Sequence, residues 1–390
     1  MKIIDVLLLA RPDHSYGIYE GFLRQEKIKY LYCSFKLLPF WLKRIMKSPR
    51  ARYYNKGYSN CFLQSLFHVY RVRFNKSSYE KYEKFFFELH LKFLMPFIKP
   101  RIIHYWPYYS YEVIRRYKQK HPEVKTFADV YYPCENWVLD NIKPLFDELG
   151  LPPNMDKVER DSIKLRELME FEDNFLVPSR FVADTYKHYY PNKNYIIIPY
   201  GISIWDKYEK KEYKNNTNQI TSFVYAGGGV TIEKGCDLML KFFINHPELD
   251  LHIYGTIPGT QVEFFSKYET SDNIHFHGFV PKSRLPEELS KYDVGIHFSR
   301  FDAYSLSVGE MIGAGLPVVV SDKTGIYFQV EEYEVGLVTK ISIDDVERCI
   351  SMIRIPETYN KMIDNLDQLI KSNPSSYGQS MLDFYSSHLV

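Results

Sequence analysis

The sequence is poor in the features that mark stapled or membrane-embedded proteins. It has five cysteines in 390 residues (Cys33, Cys61, Cys134, Cys236 and Cys349), scattered and without a C-x-x-C pair. That excludes a disulfide framework or a zinc site of ordinary ligand spacing, and suits a reducing compartment. No uncharged apolar run reaches the ~18 residues a membrane span needs. The opening MKIIDVLLLARPD is apolar over too short a run for a secretory signal and reads as a buried first strand. Internal repeats and low-complexity tracts are absent, so solenoids are excluded.

Net charge is also scarce, at +2 from 50 basic and 48 acidic side chains, but it is unevenly divided. Residues 1–125 hold 25 Lys/Arg against 9 Asp/Glu, a balance of +16, and the remainder hold 25 against 39, a balance of −14. Residues 21–76 carry 13 basic side chains opposed only by Glu26. Such a half is drawn to a polyanion or an anionic lipid surface. Within it, LLPFWLKRIMK places Leu38, Trp41, Leu42 and Ile45 on one helical face. This is the pattern of a helix at a membrane interface, or of a packed helix with a basic solvent side. Residues 36–56 are therefore the candidate contact with an anionic membrane. The run YEKYEKFFFELHLKFLMPFIK, interrupted by Glu88, His90 and Lys92, reads as a core helix. What is abundant is aromatic: 4 Trp, 34 Tyr and 27 Phe make 17% of the chain, from a biased genome or from surfaces that stack sugars or bases.

A chain this long predicts two domains of about 150–200 residues. Apolar runs alternate with helical stretches, the pattern of parallel sheets covered by helices. Five strands are expected in the first half, at 3–9, 102–105, 124–130, 174–177 and 195–198. Five more are expected in the second, at 221–225, 249–254, 274–277, 294–297 and 318–320. The polar stretch 204–219 reads as a linker, with a hinge at Pro199-Tyr200-Gly201. The expected division is an N-terminal domain over 1–200 and a C-terminal domain over 201–375. Ligands of doubly wound sheets bind beyond the carboxyl ends of the strands, so the cleft between the domains is the expected site.

The segment 292–322, YDVGIHFSRFDAYSLSVGEMIGAGLPVVVSD, carries the most chemistry. It predicts a strand ending near His297, a loop, a helix over 306–314 stopped by Gly315, and another strand after Pro317. The amides of Ser305, Leu306 and Ser307 then face outward at a helix N-terminus, a natural phosphate site. Asp302 before the turn and Glu310 within the helix can accept hydrogen bonds from ribose or sugar hydroxyls.

These residues resemble the donor-binding signature of family 4 retaining glycosyltransferases, which have the GT-B fold. FVYAGGGVTIEKG at 223–235, LHIYG at 251–255, NIHFHGFVPKSRLPEELSKYDVGI at 273–296, and DNFLVPSRFVADTY followed by YIIIPYGI agree in order and approximate spacing. The resemblance covers about 170–335 and fades before residue 100. It implies an α/β architecture of two Rossmann-like domains facing across a cleft, with the last helix, 376–390, packing back on the N-terminal domain. It further implies transfer of a sugar from a UDP- or GDP-sugar to a glycan or lipid-linked glycan, without cofactor or metal. Lys234 would bind the donor diphosphate beside Gly228 and Gly229, and Glu310 would hold the ribose. Asp302 would contact hydroxyls of the transferred sugar, Val280 would line the base, and the amides after Tyr304 would take phosphate and sugar oxygens. Asp129 is the acceptor-side candidate, at a strand end facing the cleft. His14 and Gly17, in the loop after the first strand, are placed near the donor phosphate. Gly229 stands where the family often has an arginine, and Trp106 where many members have an N-terminal-domain histidine. His104, two residues earlier, reads as a buried strand residue. A cytoplasmic enzyme at the inner face of the plasma membrane is the expected setting. The rival readings are a sugar-nucleotide epimerase, a nucleic-acid-modifying glucosyltransferase and a non-catalytic glycan-binding relative. Nucleic acid is the less favoured partner.

Overall fold

The computed structural model describes residues 2–10, 18, 21–22, 27–34, 58–60, 80–149, 155–203, 205, 208–266, 271–372, 374 and 376–389. His14, Gly17 and the basic segment 36–56 lie outside the described residues.

Two parallel sheets organise the chain. The first runs β3(Tyr58–Asn60)-β2(Tyr30–Ser34)-β1(Lys2–Ala10)-β4(Ile98–Tyr105)-β5(Lys125–Asp129)-β6(Asn174–Val177)-β7(Asn194–Ile197). The second runs β10(Ile274–Gly278)-β9(Asp250–Thr256)-β8(Ser222–Gly229)-β11(Val294–His297)-β12(Val318–Ser321)-β13(Gly336–Thr339). Every strand pair is parallel. Central strands such as β11 and β12 are buried at every position, as helices on both faces require. Both orders reverse beside the first strand of their half, the doubly wound arrangement.

The ten expected strands all occur, and three more join them. β2 and β3 lie at the outer side of the first sheet and β13 at the edge of the second. β3 has three residues, and β13, Gly-Leu-Val-Thr, is only half-buried, so neither shows a strong apolar signature. The stretch 204–219 is not a free linker where it is described. Lys210 reaches Asp364 at 2.6 Å, Lys214 reaches Asp293 at 3.0 Å, and Trp205 Nε1 donates to the Glu310 carbonyl at 3.0 Å. These contacts strap it along the second domain.

The helix Tyr377–Leu389 lies against the first sheet. The Phe384 ring meets Phe127 edge-on at 4.9 Å, and the Tyr385 hydroxyl lies 2.6 Å from His104 Nδ1. The helix Glu80–Leu94 buries Phe87 and Leu91, but Phe85 and Phe93 point outward, 58% and 68% exposed, with Phe97 beyond it at 70%. The core-helix expectation thus holds for one face only. Cys33, Cys134, Cys236 and Cys349 are buried thiols. Among the described residues, no helix is long and apolar enough to cross a membrane.

The halves also touch directly. Ser179 caps the helix Arg180–Tyr189 by accepting from Val182 N, and its hydroxyl donates to the Ala303 carbonyl across the cleft at 2.7 Å. Gly201, at φ 82, donates its amide to the Tyr304 hydroxyl at 3.1 Å, so the hinge is tied to the loop that carries Asp302.

Candidate active site

The second sheet reverses between β8 and β11, and the connections that leave those two strands meet beyond their carboxyl ends. The turn after β8 carries Lys234, and Gly235 fixes its course. Gly235 has φ 70, and a Cβ there would lie 1.9 Å from the Phe298 carbonyl oxygen. Arg300 then clamps the two connections together. Its Nη1 and Nη2 meet Asp237 Oδ1 and Oδ2 at 2.6 and 2.8 Å, and its amide donates to the Glu233 carbonyl at 2.8 Å. This bidentate pair, with Asp237 only 2% exposed, sets the separation of the groups on either side.

Those groups are Lys234 and Asp302, with Nζ and Oδ2 2.6 Å apart. His297 Nε2 faces the same carboxylate oxygen at 3.3 Å and the Ser305 hydroxyl at 3.3 Å. The His297 ring is 1% exposed and stacks on Tyr225 with centroids 5.5 Å apart. Burial by itself would push the Asp302 carboxyl up; the Lys234 ammonium and His297 outweigh it and hold the group well below the usual carboxylate range. Burial, reinforced by Lys234, lowers His297, with Asp302 opposing.

Ser305 leads into the helix Leu306–Gly313 with φ 71, a left-handed conformation that costs a non-glycine residue about 1–3 kcal/mol and gathers at functional sites. The first amides of this helix have no intrahelical acceptor, and its dipole favours an anion. One turn in, Glu310 Oε1 meets Lys282 Nζ at 2.8 Å, and that ammonium lies 5.9 Å from the Trp205 ring centroid. Lys282 is 70% exposed, so the pair is readily displaced.

These groups enclose a cavity of about 370 Å³. Of the residues singled out from sequence, Gly228, Lys234, Val280, Asp302, Leu306, Ser307 and Glu310 line it. Gly229, Tyr304 and Ser305 do not. The Gly229 carbonyl accepts from the Tyr225 hydroxyl at 2.6 Å, and Tyr304 is buried with its hydroxyl donating to Gln329. Ser305, 4% exposed, turns its hydroxyl toward His297.

Asp129 needs a larger correction. It does not face the cleft as an open acid: it is 5% exposed, and one carboxylate oxygen is shared by His104 Nε2 at 3.1 Å and Trp106 Nε1 at 3.2 Å. His104 is fully buried, and its other nitrogen reaches Tyr385. This network joins two strands of the first sheet to the C-terminal helix, and none of its residues lines the cavity.

Lys282, His297, Arg300 and Trp205 were not singled out from sequence. His297 had a usable signal, a polar residue ending an otherwise apolar buried strand. Lys282 follows Pro281 in a loop, and nothing local marks it. It supplies from the second domain a positive charge beside a turn that has glycine at 229.

Two lysines and a helix N-terminus can hold an anionic phosphate pair, and two carboxylates can accept from hydroxyls. Residues 207–368 match the model of the family described as glycosyl transferases group 1. That match falls entirely within the second half of the chain. No curated protein matches the sequence. Among solved structures, sucrose-phosphate synthase from Thermosynechococcus elongatus is similar at TM-score 0.63 and 12% identity, over 100% of this chain and 98% of that one. A glycosyltransferase from Rickettsia africae is similar at 0.62 and 12%, over 100% and 99%. Anabaena HepE, solved with UDP and glucose, is similar at 0.56 and 12%, over 98% and 100%. At such identities the likeness is one of fold, and the fold is GT-B.

Proposed function

We propose that the chain is a retaining glycosyltransferase that moves a sugar from a UDP- or GDP-sugar to a glycan or lipid-linked glycan, in surface polysaccharide or glycoconjugate synthesis. The observation that carries the reading is the cavity itself, where Lys234–Asp302 and Lys282–Glu310 stand at the mouth of the helix Leu306–Gly313. On this reading the diphosphate draws Lys234 and Lys282 from their carboxylates and sits over the helix end. Glu310 is freed for the ribose hydroxyls, and Asp302 turns to hydroxyls of the sugar. The two ammonium groups and the helix dipole stabilise the charge of the departing diphosphate, without a metal on this reading. Closure about Gly201 excludes water, and the acceptor attacks from the face the diphosphate leaves.

A further cavity of about 530 Å³ supports a sugar acceptor. It lies between the domains, lined by Trp137, Phe181, Asp184 and His188 from the first and Asp322 and Tyr327 from the second. Aromatic faces beside carboxylates suit a polyhydroxyl chain. The Asp302 amide donates to the Lys323 carbonyl at 2.9 Å, which couples the loops bounding the two cavities. Exposed Phe85, Phe93 and Phe97 in the basic half support peripheral contact with an anionic membrane.

Transfer assays with UDP- and GDP-sugars against candidate acceptors test the proposal. Glu310→Ala is expected to abolish transfer while the protein stays folded, and transfer that survives it would remove Glu310 from the donor site. Sedimentation with phosphatidylglycerol vesicles is expected for the wild type and reduced for Phe93→Ser/Phe97→Ser. Equal binding by both proteins would remove Phe93 and Phe97 from the membrane contact.

A further inference from the structure

His297 has no role in the scheme above, and its surroundings are unusual. It is 1% exposed, lines the donor cavity, and its Nδ1 is buried without a hydrogen-bond partner. Its Nε2 shares Asp302 Oδ2 with Lys234, at 3.3 Å against 2.6 Å for the lysine. The groups facing the ring are Tyr225 from β8, Lys234 from the turn after β8, and Asp302 and Ser305 from the loop after β11. Thr324, after β12, donates to its backbone carbonyl. Of these only Lys234 and Asp302 are charged, and their charges cancel.

An imidazole so placed is neutral in the empty site. Nε2–H donates toward the carboxylate, which leaves Nδ1 as an unprotonated acceptor, the cheaper of the two ways to leave a buried nitrogen alone. A nucleotide-diphosphate sugar changes this balance. Its diphosphate brings negative charge into the cavity and engages Lys234, so Asp302 loses its closest cation. The field at His297 turns from balanced to negative, and the nearest cation that could answer Asp302 is then the imidazolium itself.

We infer that His297 is a proton-accepting residue of the donor site: it takes one proton from solvent as the sugar nucleotide enters and keeps Nε2–H on Asp302. The proton comes from the buffer and remains on the imidazole until the nucleotide leaves. Asp302 thereby exchanges Lys234 for His297 as its counter-ion and stays ionised and oriented toward the sugar. This rests on the donor-site reading of the cavity. It is consistent with the lowered proton affinity of the histidine in the empty protein, where burial and Lys234 both oppose its charge.

The test is calorimetric titration of the full chain with UDP-glucose and GDP-mannose, whose diphosphates carry no proton that titrates near neutrality. Each titration is run at pH ~7 in buffers of different ionisation enthalpy, and affinity is followed from pH ~6 to ~9. The observed enthalpy is expected to vary with buffer by an amount approaching one proton taken up per donor bound. Affinity is expected to fall by close to tenfold per pH unit around pH ~7. His297→Asn and His297→Phe are expected to remove the buffer dependence and flatten the pH profile, with melting temperatures recorded to show that they fold. Wild-type donor binding with no proton uptake overturns the inference and leaves the donor site standing. If neither sugar nucleotide binds, the donor-site reading fails and takes the inference with it.

Discussion

Replacing Arg300 with leucine separates two ideas that the site makes inseparable in the wild type, stability of the second domain and alignment of the groups that line its cavity. The guanidinium is 13% exposed and holds a carboxylate that is 2% exposed through two hydrogen bonds of 2.6 and 2.8 Å. Removing one partner of a buried pair costs about 3–5 kcal/mol, because the remaining charge is left uncompensated. Asp237 lies in the first turn of the helix Cys236–Phe243, whose dipole favours an anion, so the lower end, about 3 kcal/mol, applies. For a domain of this size each kcal/mol moves the melting temperature by about 2–4 °C, so a drop of about 6–12 °C is expected by scanning calorimetry. The double variant Arg300→Leu/Asp237→Leu removes both charges and is expected to regain most of that loss. It will not regain sugar-nucleotide affinity, because the clamp that spaces Lys234 from Asp302 is gone in both variants. A single variant melting within about 2 °C of wild type, or a double variant that binds donor normally, would refute the assignment of Arg300 as the clamp.

Three further outcomes follow from particular contacts. Gly235→Ala forces a left-handed residue, at about 1–2 kcal/mol, into contact with the Phe298 carbonyl, so the Lys234 turn must shift. Sugar-nucleotide affinity measured by calorimetry is expected to fall at least ~10-fold, equivalent to about 1.4 kcal/mol. His104→Phe leaves the buried Asp129 with one fewer donor, and is expected to lower stability in urea titrations by about 1–3 kcal/mol without changing donor affinity. On the outer strands of the second sheet, burial and the neighbouring His275 and His277 push His252 from 6.5 down to about 4. The unfolded chain binds this proton below pH ~6.5 and the folded one only near ~4, so stability present above ~6.5 is lost as pH falls through that window. Denaturant midpoints at pH ~7 and ~5 should differ, and His252→Gln should narrow the difference.

Much of the second domain was legible because its signals are local. A buried strand, a loop with two acids, a short helix and the G-x-P-V-V stop follow one another between Asp293 and Ser321, and each residue's chemistry is set by its neighbours in sequence. The cavity-lining Lys234, Asp302, Ser307 and Glu310 all come from such stretches. What escaped depends on distant pairing. Arg300 is explained by Asp237, 63 positions away, and Lys282 by Glu310, 28 positions away. Asp129 looked like a cleft-facing acid because it ends β5. Its exposure is decided instead by His104, Trp106 and a helix some 250 residues later, and no local pattern reports that. The short edge strands β3 and β13 escaped because three and four residues give periodicity little to act on.

The central claim is that the cavity beside the helix Leu306–Gly313 binds a nucleotide-diphosphate sugar through Lys234 and Glu310. Calorimetric titration of the wild type, Lys234→Ala and Glu310→Ala against a panel of UDP- and GDP-sugars tests it most directly. The account predicts saturable binding of at least one sugar nucleotide by the wild type and a loss of at least ~10-fold in each variant. Failure of the whole panel to bind, or undiminished binding by both variants, would contradict it.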